Sequence, residues 1–293
     1  MAAKDSYYLP HHAYWPIMGS VGLFTLLVGF SNLVNGSSSG SPLMIIGAII
    51  LIGMMFLWFG EVIRESIAGK YNHQVDVSFR WGMVWFIASE VFFFAAFFGA
   101  LYYARVYALP WLGGEGSNIG IETHEYLWKL FENTWPTNGP EHLGGLEGGH
   151  FEPMAAWGIP AMNTLILLSS GGTVTWAHWG LLAGNRSQLI KGLLMTVALG
   201  FLFVILQGYE YHEAYSEMGL TLGTGIYGST FFMLTGFHGL HVTIGAIMLT
   251  VVLLRSLKGH FSAEHHFAFE AAAWYWHFVD VVWLGLFIFV YWL

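Results

Sequence analysis

The feature that most constrains this chain is an apolar segment near its C-terminus that contains ionisable side chains. Residues 270–293 read EAAAWYWHFVDVVWLGLFIFVYWL, and His277 and Asp280 lie near the middle of this segment. A charge at the centre of a bilayer costs about 2.5–3.5 kcal/mol on insertion scales, so such residues usually face protein or water and are candidates for function. Glu90 lies in a similar segment. The sequence therefore predicts a membrane protein with polar groups buried among its helices.

The composition supports a membrane protein and excludes cysteine chemistry. Charged residues make up 10% of the chain and hydrophobic residues 56%, whereas about 25% of the residues in a soluble domain are charged. The chain has no cysteine, which excludes disulfides, thiolate metal sites and cysteine nucleophiles. Residues 1–14 lack the basic region and short apolar core of a cleavable signal peptide. We therefore expect the first apolar segment to remain as a helix.

Seven segments are long and apolar enough to cross a bilayer, which takes about 20 residues in a helix. We predict an all-α, polytopic membrane protein that forms a single membrane domain over residues 1–293. The predicted spans cover residues 15–34, 43–63, 80–108, 153–182, 189–213, 227–254 and 267–292.

Basic residues predict the orientation of these spans. When span ends are assigned alternately to two sides, eight of the ten Lys and Arg residues lie on one side. Cytoplasmic connectors are rich in Lys and Arg, so we expect a cytoplasmic N-terminus and a C-terminus on the outer side. We also expect the membrane to be a bacterial inner (plasma) membrane, in which the outer side is the periplasm. The eight residues are Lys4, Arg64, Lys70, Arg80, Arg186, Lys191, Arg255 and Lys258.

Residues 109–152 form a long acidic loop on the predicted outer side. Apolar residues at helical spacing predict a short surface helix within residues 121–135. Three histidines leave a metal site possible, but their spacing is not specific and favours a solvated loop. The loop contains Glu115, Glu122, Glu125, Glu132, Glu141, Glu147 and Glu152, together with His124, His142 and His150.

Three groups of intramembrane polar residues are candidate sites. Glu90 has apolar neighbours, so it is either a proton-binding carboxyl group or a neutral acid that hydrogen-bonds to another helix. His238 and His241 share a helix face, as do His277 and Asp280. Neither pair completes a metal site, and we favour interhelical hydrogen bonds for both.

Basic and aromatic residues gather at the predicted cytoplasmic ends of the second and sixth spans. Trp58 precedes Arg64, and Arg255 precedes Lys258 and His260. Such residues suit phospholipid headgroups, but ordinary positive-inside anchoring predicts the same pattern. Spacing alone does not distinguish these two interpretations.

Six sequence segments together resemble subunit III of the haem–copper cytochrome c oxidases. The last two segments are long and specific, and the likeness covers nearly the whole chain except the loop at residues 109–152. The segments are YWP at 14–16, VIRES at 62–66, FRWGMVWFIASEVFFF at 79–94, TWAH at 175–178, YGSTFFMLTGFHGLHV at 227–242 and HHFAFEAAAWYWHFVDVVW at 265–283.

The resemblance implies a specific architecture and a specific role. Seven transmembrane helices would form a V-shaped cleft between helices 1–2 and helices 3–7, and phospholipids would lie in that cleft. The chain would be a non-catalytic subunit of an oxidoreductase and translocase complex in aerobic electron transport. It would bind catalytic subunit I directly, with subunit II and small subunits nearby, and would support proton uptake and the stability of subunit I. Haem and copper would belong to partner subunits, so this chain would hold no metal, redox centre or catalytic residue, and no nucleic acid is implied as a partner.

The resemblance also implies roles for individual residues. The carboxyl group at the Glu90 position reacts with a carbodiimide in this family. Proton entry into subunit I lies near the edge that carries His11 and His12, so this pair is either a proton-collecting group or two solvated interfacial histidines. The positions implied in lipid-headgroup binding are Trp58, Arg64, His73, Arg255, Lys258 and His260.

Three other classes of function remain as alternatives. A related quinol oxidase has a similar subunit that lacks the first two helices, whereas both are predicted here. A transporter or proton channel typically has inverted repeats or paired broken helices, and we identify neither in the sequence. A membrane metalloenzyme built on the histidines would require a complete ligand set.

Overall fold

The structure is a computed structural model that describes residues 7–10, 13–116 and 118–293. The described part of the chain is helical and contains no β-strand, as predicted for an all-α membrane protein. The sequence predicted a single membrane domain. Contacts within the fold divide the chain into two compact units, Met1–Trp81 and Gly82–Leu293, and the single membrane domain stays a prediction.

The first unit is built around two closely packed helices, α1 (Trp15–Val34) and α2 (Gly40–Ile67). A Cβ added at Gly29 or at Gly47 would lie 2.4 Å from a backbone nitrogen of the other helix. Small residues at such positions let the backbones of membrane helices approach closely. Helix α1 has the predicted bounds, and α2 extends beyond the predicted 43–63 at both ends.

Helix α3 (His73–Tyr103) begins seven residues before the predicted start at residue 80. The side-chain oxygen of Asn72 accepts a hydrogen bond from the Val75 amide at 3.0 Å, as a helix N-cap does. Asp76 in the first turn forms an ion pair with Arg80 at 2.8 Å. The predicted start was wrong because the polar first turns were assigned to the connector.

Helix α3 ends at Tyr103, but the helical segment that it begins extends beyond the predicted end at residue 108. A π-helical turn, Ala104–Ala108, leads into a short helix, α4 (Leu109–Leu112). The helical segment therefore continues into the predicted loop at residues 109–152. Within that loop, the surface helix is α5 (Asn118–Tyr126), which ends well before residue 135, and a 3₁₀ turn covers Glu147–Gly149.

Four long helices form the second unit together with the C-terminal part of α3. These are α6 (Ile159–Leu182), α7 (Arg186–Ser216), α8 (Gly225–Leu257) and α9 (Phe267–Leu286), which a π-helical turn, Phe287–Trp292, extends. The predicted spans 189–213 and 227–254 are each exceeded at both ends. Helix α6 begins six residues after the predicted start at 153, and Pro160 lies in its first turn, where proline fits the helix without breaking it.

Six of the described helical segments have the length and hydropathy of a membrane span. Helix α6 was predicted as a span but is not among the six, although its 24 residues would extend about 36 Å. Its buried face carries two hydroxyl groups that hydrogen-bond to α9: Ser170 accepts from the Trp276 indole at 2.8 Å, and Thr164 accepts from the Trp283 indole at 2.9 Å.

The indole of Trp276 lies in a slot at the centre of the second unit. A Cβ added at Gly200 of α7 would lie 2.7 Å from this ring, and a Cβ added at Gly245 of α8 would lie 2.8 Å from it. The ring is fully buried, and its N–H group donates to Ser170 of α6. One side chain of α9 therefore packs against three other helices.

We expect Gly245→Ala to destabilise the second unit, because the new methyl group would collide with the rigid Trp276 indole. Overpacking of this kind costs about 1–3 kcal/mol. Gly239→Ala on the same helix is the matched control, since a Cβ there would meet no atom within 4 Å. Thermal unfolding of the purified chain should show a lower midpoint for Gly245→Ala only. Equal midpoints for the two variants would show that the slot is not tight.

Candidate functional site

Three of the predicted headgroup-binding residues lie in the first unit. Trp58 and Arg64 are exposed on α2, and His73 is the exposed first residue of α3. Arg64 lines a cavity of about 260 Å³ together with Glu61, Glu65, Ala68 and Lys70. These residues give the end of α2 both cationic and anionic groups.

The carboxylate of Glu65 organises this end of the first unit. It accepts hydrogen bonds from the hydroxyl groups of Tyr8 and Tyr71, the latter at 2.9 Å. Lys70 forms an ion pair with it at 3.7 Å. Burial and the hydrogen bond to Glu65 raise the pKa of Tyr71 well above its usual value. Tyr71 therefore stays a neutral donor at physiological pH.

The other three predicted headgroup-binding residues lie in the second unit. Arg255 is buried near the end of α8, and its guanidinium carbon lies 4.5 Å from the centre of the Phe261 ring. Lys258 is exposed, and His260 is partly buried. Within the described residues, Nε of Arg255 and Nδ1 of His260 have no hydrogen-bond partner. The convergence of these residues with Arg64 on one lipid stays a prediction.

Glu90 forms a hydrogen-bonded pair with His241 that joins α3 to α8. The distance between Oε2 of Glu90 and Nε2 of His241 is 2.7 Å. Nδ1 of His241 donates to the carbonyl oxygen of Phe237 at 2.6 Å, because a carbonyl can only accept. Nε2 therefore either accepts a hydrogen bond from a neutral Glu90 carboxyl group or donates one to the Glu90 carboxylate. In either case, one proton is held between the two side chains.

Aromatic rings enclose this pair on the protein side. Phe94 lies 5.0 Å from the His241 ring in an edge-to-face arrangement, and Tyr275 stacks at 6.3 Å. The side chain of Glu90 is still 20% exposed, and Phe92 on the same helix is 74% exposed. An apolar reagent could therefore approach Glu90 from the surface of the second unit.

The other predicted intramembrane pairs form interhelical hydrogen bonds. Nε2 of His238 donates to the carbonyl oxygen of Val279 at 3.1 Å, which joins α8 to α9. Nε2 of His277 lies 3.3 Å from the hydroxyl oxygen of Thr175, which joins α9 to α6. Nδ1 of His277 lies 3.6 Å from the carboxylate of Asp280. The predicted hydrogen-bonding role is present in both pairs.

The structure also contains a buried carboxyl group that the sequence analysis did not single out. Glu210 of α7 is completely buried and accepts from the Tyr291 hydroxyl at 2.7 Å and from the Gln207 amide at 3.2 Å. Its position inside the predicted span 189–213 was the available signal. The proximity of Tyr291 could not be inferred, because it depends on how α7 and the C-terminal turn pack.

Two further predictions concern the histidine pair near the N-terminus and the histidines of the long loop. His11 and His12 lie outside the described residues. Among the described residues, the one group of three or more possible metal ligands that lie close together is His178, His266 and Glu270, so the loop histidines do not form such a group.

We expect an apolar carbodiimide to label Glu90 more strongly than Glu210, because Glu90 is partly exposed and Glu210 is completely buried. Mass spectrometry of labelled peptides from intact membranes would measure both sites. Glu90→Gln should remove most of the label, and Glu210→Gln, the matched control, should leave it. Labelling mainly at Glu210, Glu270 or Asp280 would contradict this interpretation of the site.

Comparison with known proteins identifies the family. The family described as "Cytochrome c oxidase subunit III" matches residues 5–135 and 143–293. Proteins named cytochrome c oxidase subunit 3 from Gadus morhua, Dugong dugon and Oncorhynchus clarkii are each 42% identical over 98% of this chain and 97% of their own length. The match includes most of the loop at residues 109–152, since residues 136–142 are the only part of the loop outside it. The chain therefore belongs to the cytochrome c oxidase subunit III family.

Proposed function

We propose that this chain is a non-catalytic, lipid-binding subunit III of a proton-pumping cytochrome c oxidase in aerobic respiration. It supports proton uptake by catalytic subunit I and protects that subunit during turnover. The observation that carries this proposal is the family match along nearly the whole chain.

The proposed complex divides the chemistry between chains. Subunit I binds this chain directly, and subunit II and small subunits complete the complex. The partner subunits hold the haems and copper, so oxygen reduction takes place outside this chain. The polar groups inside the second unit agree with a supporting role, because His238 and His277 hydrogen-bond to neighbouring helices.

Phospholipid headgroups are the proposed ligands of the basic ends of α2 and α8. A buried N–H group without a protein partner is usually satisfied by water or a ligand. Among the described residues, Nε of Arg255 is such a group, and an anionic phosphate would provide the missing acceptor. The proposed binding residues are Trp58, Arg64, His73, Arg255, Lys258 and His260.

The proposed orientation of the chain in the membrane rests on the distribution of its basic residues. Eight of the ten Lys and Arg residues lie on one predicted side, which we assign to the cytoplasm, so that the C-terminus is periplasmic. We propose a bacterial plasma membrane, although the relatives named above come from two fishes and a dugong and do not support that detail.

On the cytoplasmic side, His11 and His12 are proposed to collect protons for subunit I.

The alternative is the corresponding subunit of a quinol oxidase. The quinol oxidase subunit is expected to lack the first two helices. Both α1 and α2 are present here, which favours the cytochrome c type.

We expect an oxidase complex prepared without this chain to keep its initial turnover rate near neutral pH but to lose activity faster during turnover. The measurement is oxygen consumption over time with reduced cytochrome c as the donor. Restoring the purified chain should restore the lifetime. Complete loss of initial activity, or an unchanged lifetime, would contradict the proposed supporting role.

We expect the double variant Arg64→Ala/Arg255→Ala to retain less phospholipid. Each cation near an anionic surface contributes about 1 kcal/mol, so the loss of two should weaken lipid binding roughly 30-fold. Native mass spectrometry of the complex would count the bound lipids. Lys191→Ala is the control, because this exposed basic residue of α7 is outside the proposed site. Equal lipid content in both variants would favour positive-inside anchoring alone.

A further inference from the structure

Three ligand-type side chains come together in the second unit, where α6 ends and α9 begins. His178 lies in the final turns of α6, His266 immediately precedes α9, and Glu270 lies in the first turn of α9. Nε2 of His266 lies 3.4 Å from Nε2 of His178 and 2.9 Å from Oε1 of Glu270. All three ligand atoms lie within 4.8 Å of one another.

The tautomer of His266 directs a lone pair into this cluster. Its Nδ1 lies 3.1 Å from the carbonyl oxygen of Ser262. A carbonyl can only accept, so Nδ1 carries the proton and Nε2 of the neutral ring is free to coordinate. Histidines that bind metals usually donate their other ring N–H group in this way, often to a backbone carbonyl. The contact with Ser262 therefore orients His266 as a metal ligand would be oriented.

The distances fit a small divalent cation. Two Zn–ligand bonds of about 2.0–2.1 Å at a tetrahedral angle place their ligand atoms about 3.3 Å apart. The 3.4 Å and 2.9 Å separations at His266 are close to this value. Two imidazoles and one carboxylate also form a ligand set that zinc accepts, with water in the fourth position.

The three side chains are largely shielded from solvent, but the site remains accessible to an ion. The side chain of His266 is 7% exposed and that of Glu270 is 15% exposed, and His178 is partly buried. The His178 ring also stacks on Phe269 with centroids 5.2 Å apart, which restricts its orientation. Ligands held in place before binding lose little conformational freedom when the ion arrives.

We propose that His178, His266 and Glu270 form a binding site for Zn²⁺, with water as the fourth ligand. The ion links the end of α6 to the start of α9, which are far apart in the sequence. This inference goes beyond the proposed function and revises the expectation that the chain binds no metal. It leaves the chain without a redox centre, because zinc has no redox chemistry.

The sequence concealed this site because its ligands come from separate segments. His178 belongs to TWAH and His266 to HHFAFE, 88 residues apart. The pair at positions 266 and 270 supplies two ligands on one helical face, which is too few for a zinc site. Only the packing of α6 against α9 supplies the third.

The test uses the full-length chain, purified with the subunits that accompany it in mild detergent, stripped with a chelator and reloaded with Zn²⁺ alone. The variants are His178→Ala and Glu270→Gln, and the control is His265→Ala, an exposed histidine next to the site. Elemental analysis would measure zinc per chain, and thermal unfolding would measure its stabilising effect.

We expect wild type and His265→Ala to bind one more Zn²⁺ per chain than the other two variants. Zinc should raise the unfolding midpoint of the first two proteins only. Glu270→Gln preserves side-chain size and hydrogen bonding, so it decides the question if His178→Ala does not assemble. Equal zinc content in wild type and Glu270→Gln, or no zinc retained by wild type at micromolar free Zn²⁺, would overturn the proposal and leave a hydrogen-bonded cluster.

Discussion

The packing of the second unit depends on the position of one indole ring. Trp276 of α9 is placed between Gly200 of α7 and Gly245 of α8, while Ser170 of α6 accepts its N–H group. Lipid provides no hydrophobic force between membrane helices, so close packing and hydrogen bonds must hold them together. This ring provides both, and it determines how closely the four helices approach.

The polar pairs of the second unit have a common physical origin. A polar side chain within an apolar helix is costly in lipid unless another helix provides a partner. His238 finds a backbone carbonyl, His277 a threonine hydroxyl, and Glu90 the imidazole of His241. Hydrogen bonding between helices therefore accounts for most of these intramembrane polar residues. It is compatible with the supporting role that we propose for this chain.

The ligands that we propose for this chain would bind at the ends of its helices. Arg255 has a buried N–H group without a partner among the described residues, which suits an anionic headgroup. His178 and His266 bring two imidazoles together beside a carboxylate, which suits a cation. Both features occur where helices end and connectors begin, because side chains there can reach ligands from the aqueous phase. Lipid and zinc would then stabilise the same membrane fold at different places.

The sequence by itself determined the helical class, the approximate spans and the family. Long apolar segments must form helices in lipid, since only helices satisfy their own backbone hydrogen bonds there, and α1 was predicted to the residue. The start of α3 was missed because its first turns are polar and depend on the Asn72 cap. Tertiary structure alone decided that Glu90 pairs with His241 and that His178 meets His266. Helical periodicity places residues on a face of their own helix, but which face meets which neighbour depends on the packing of the whole bundle.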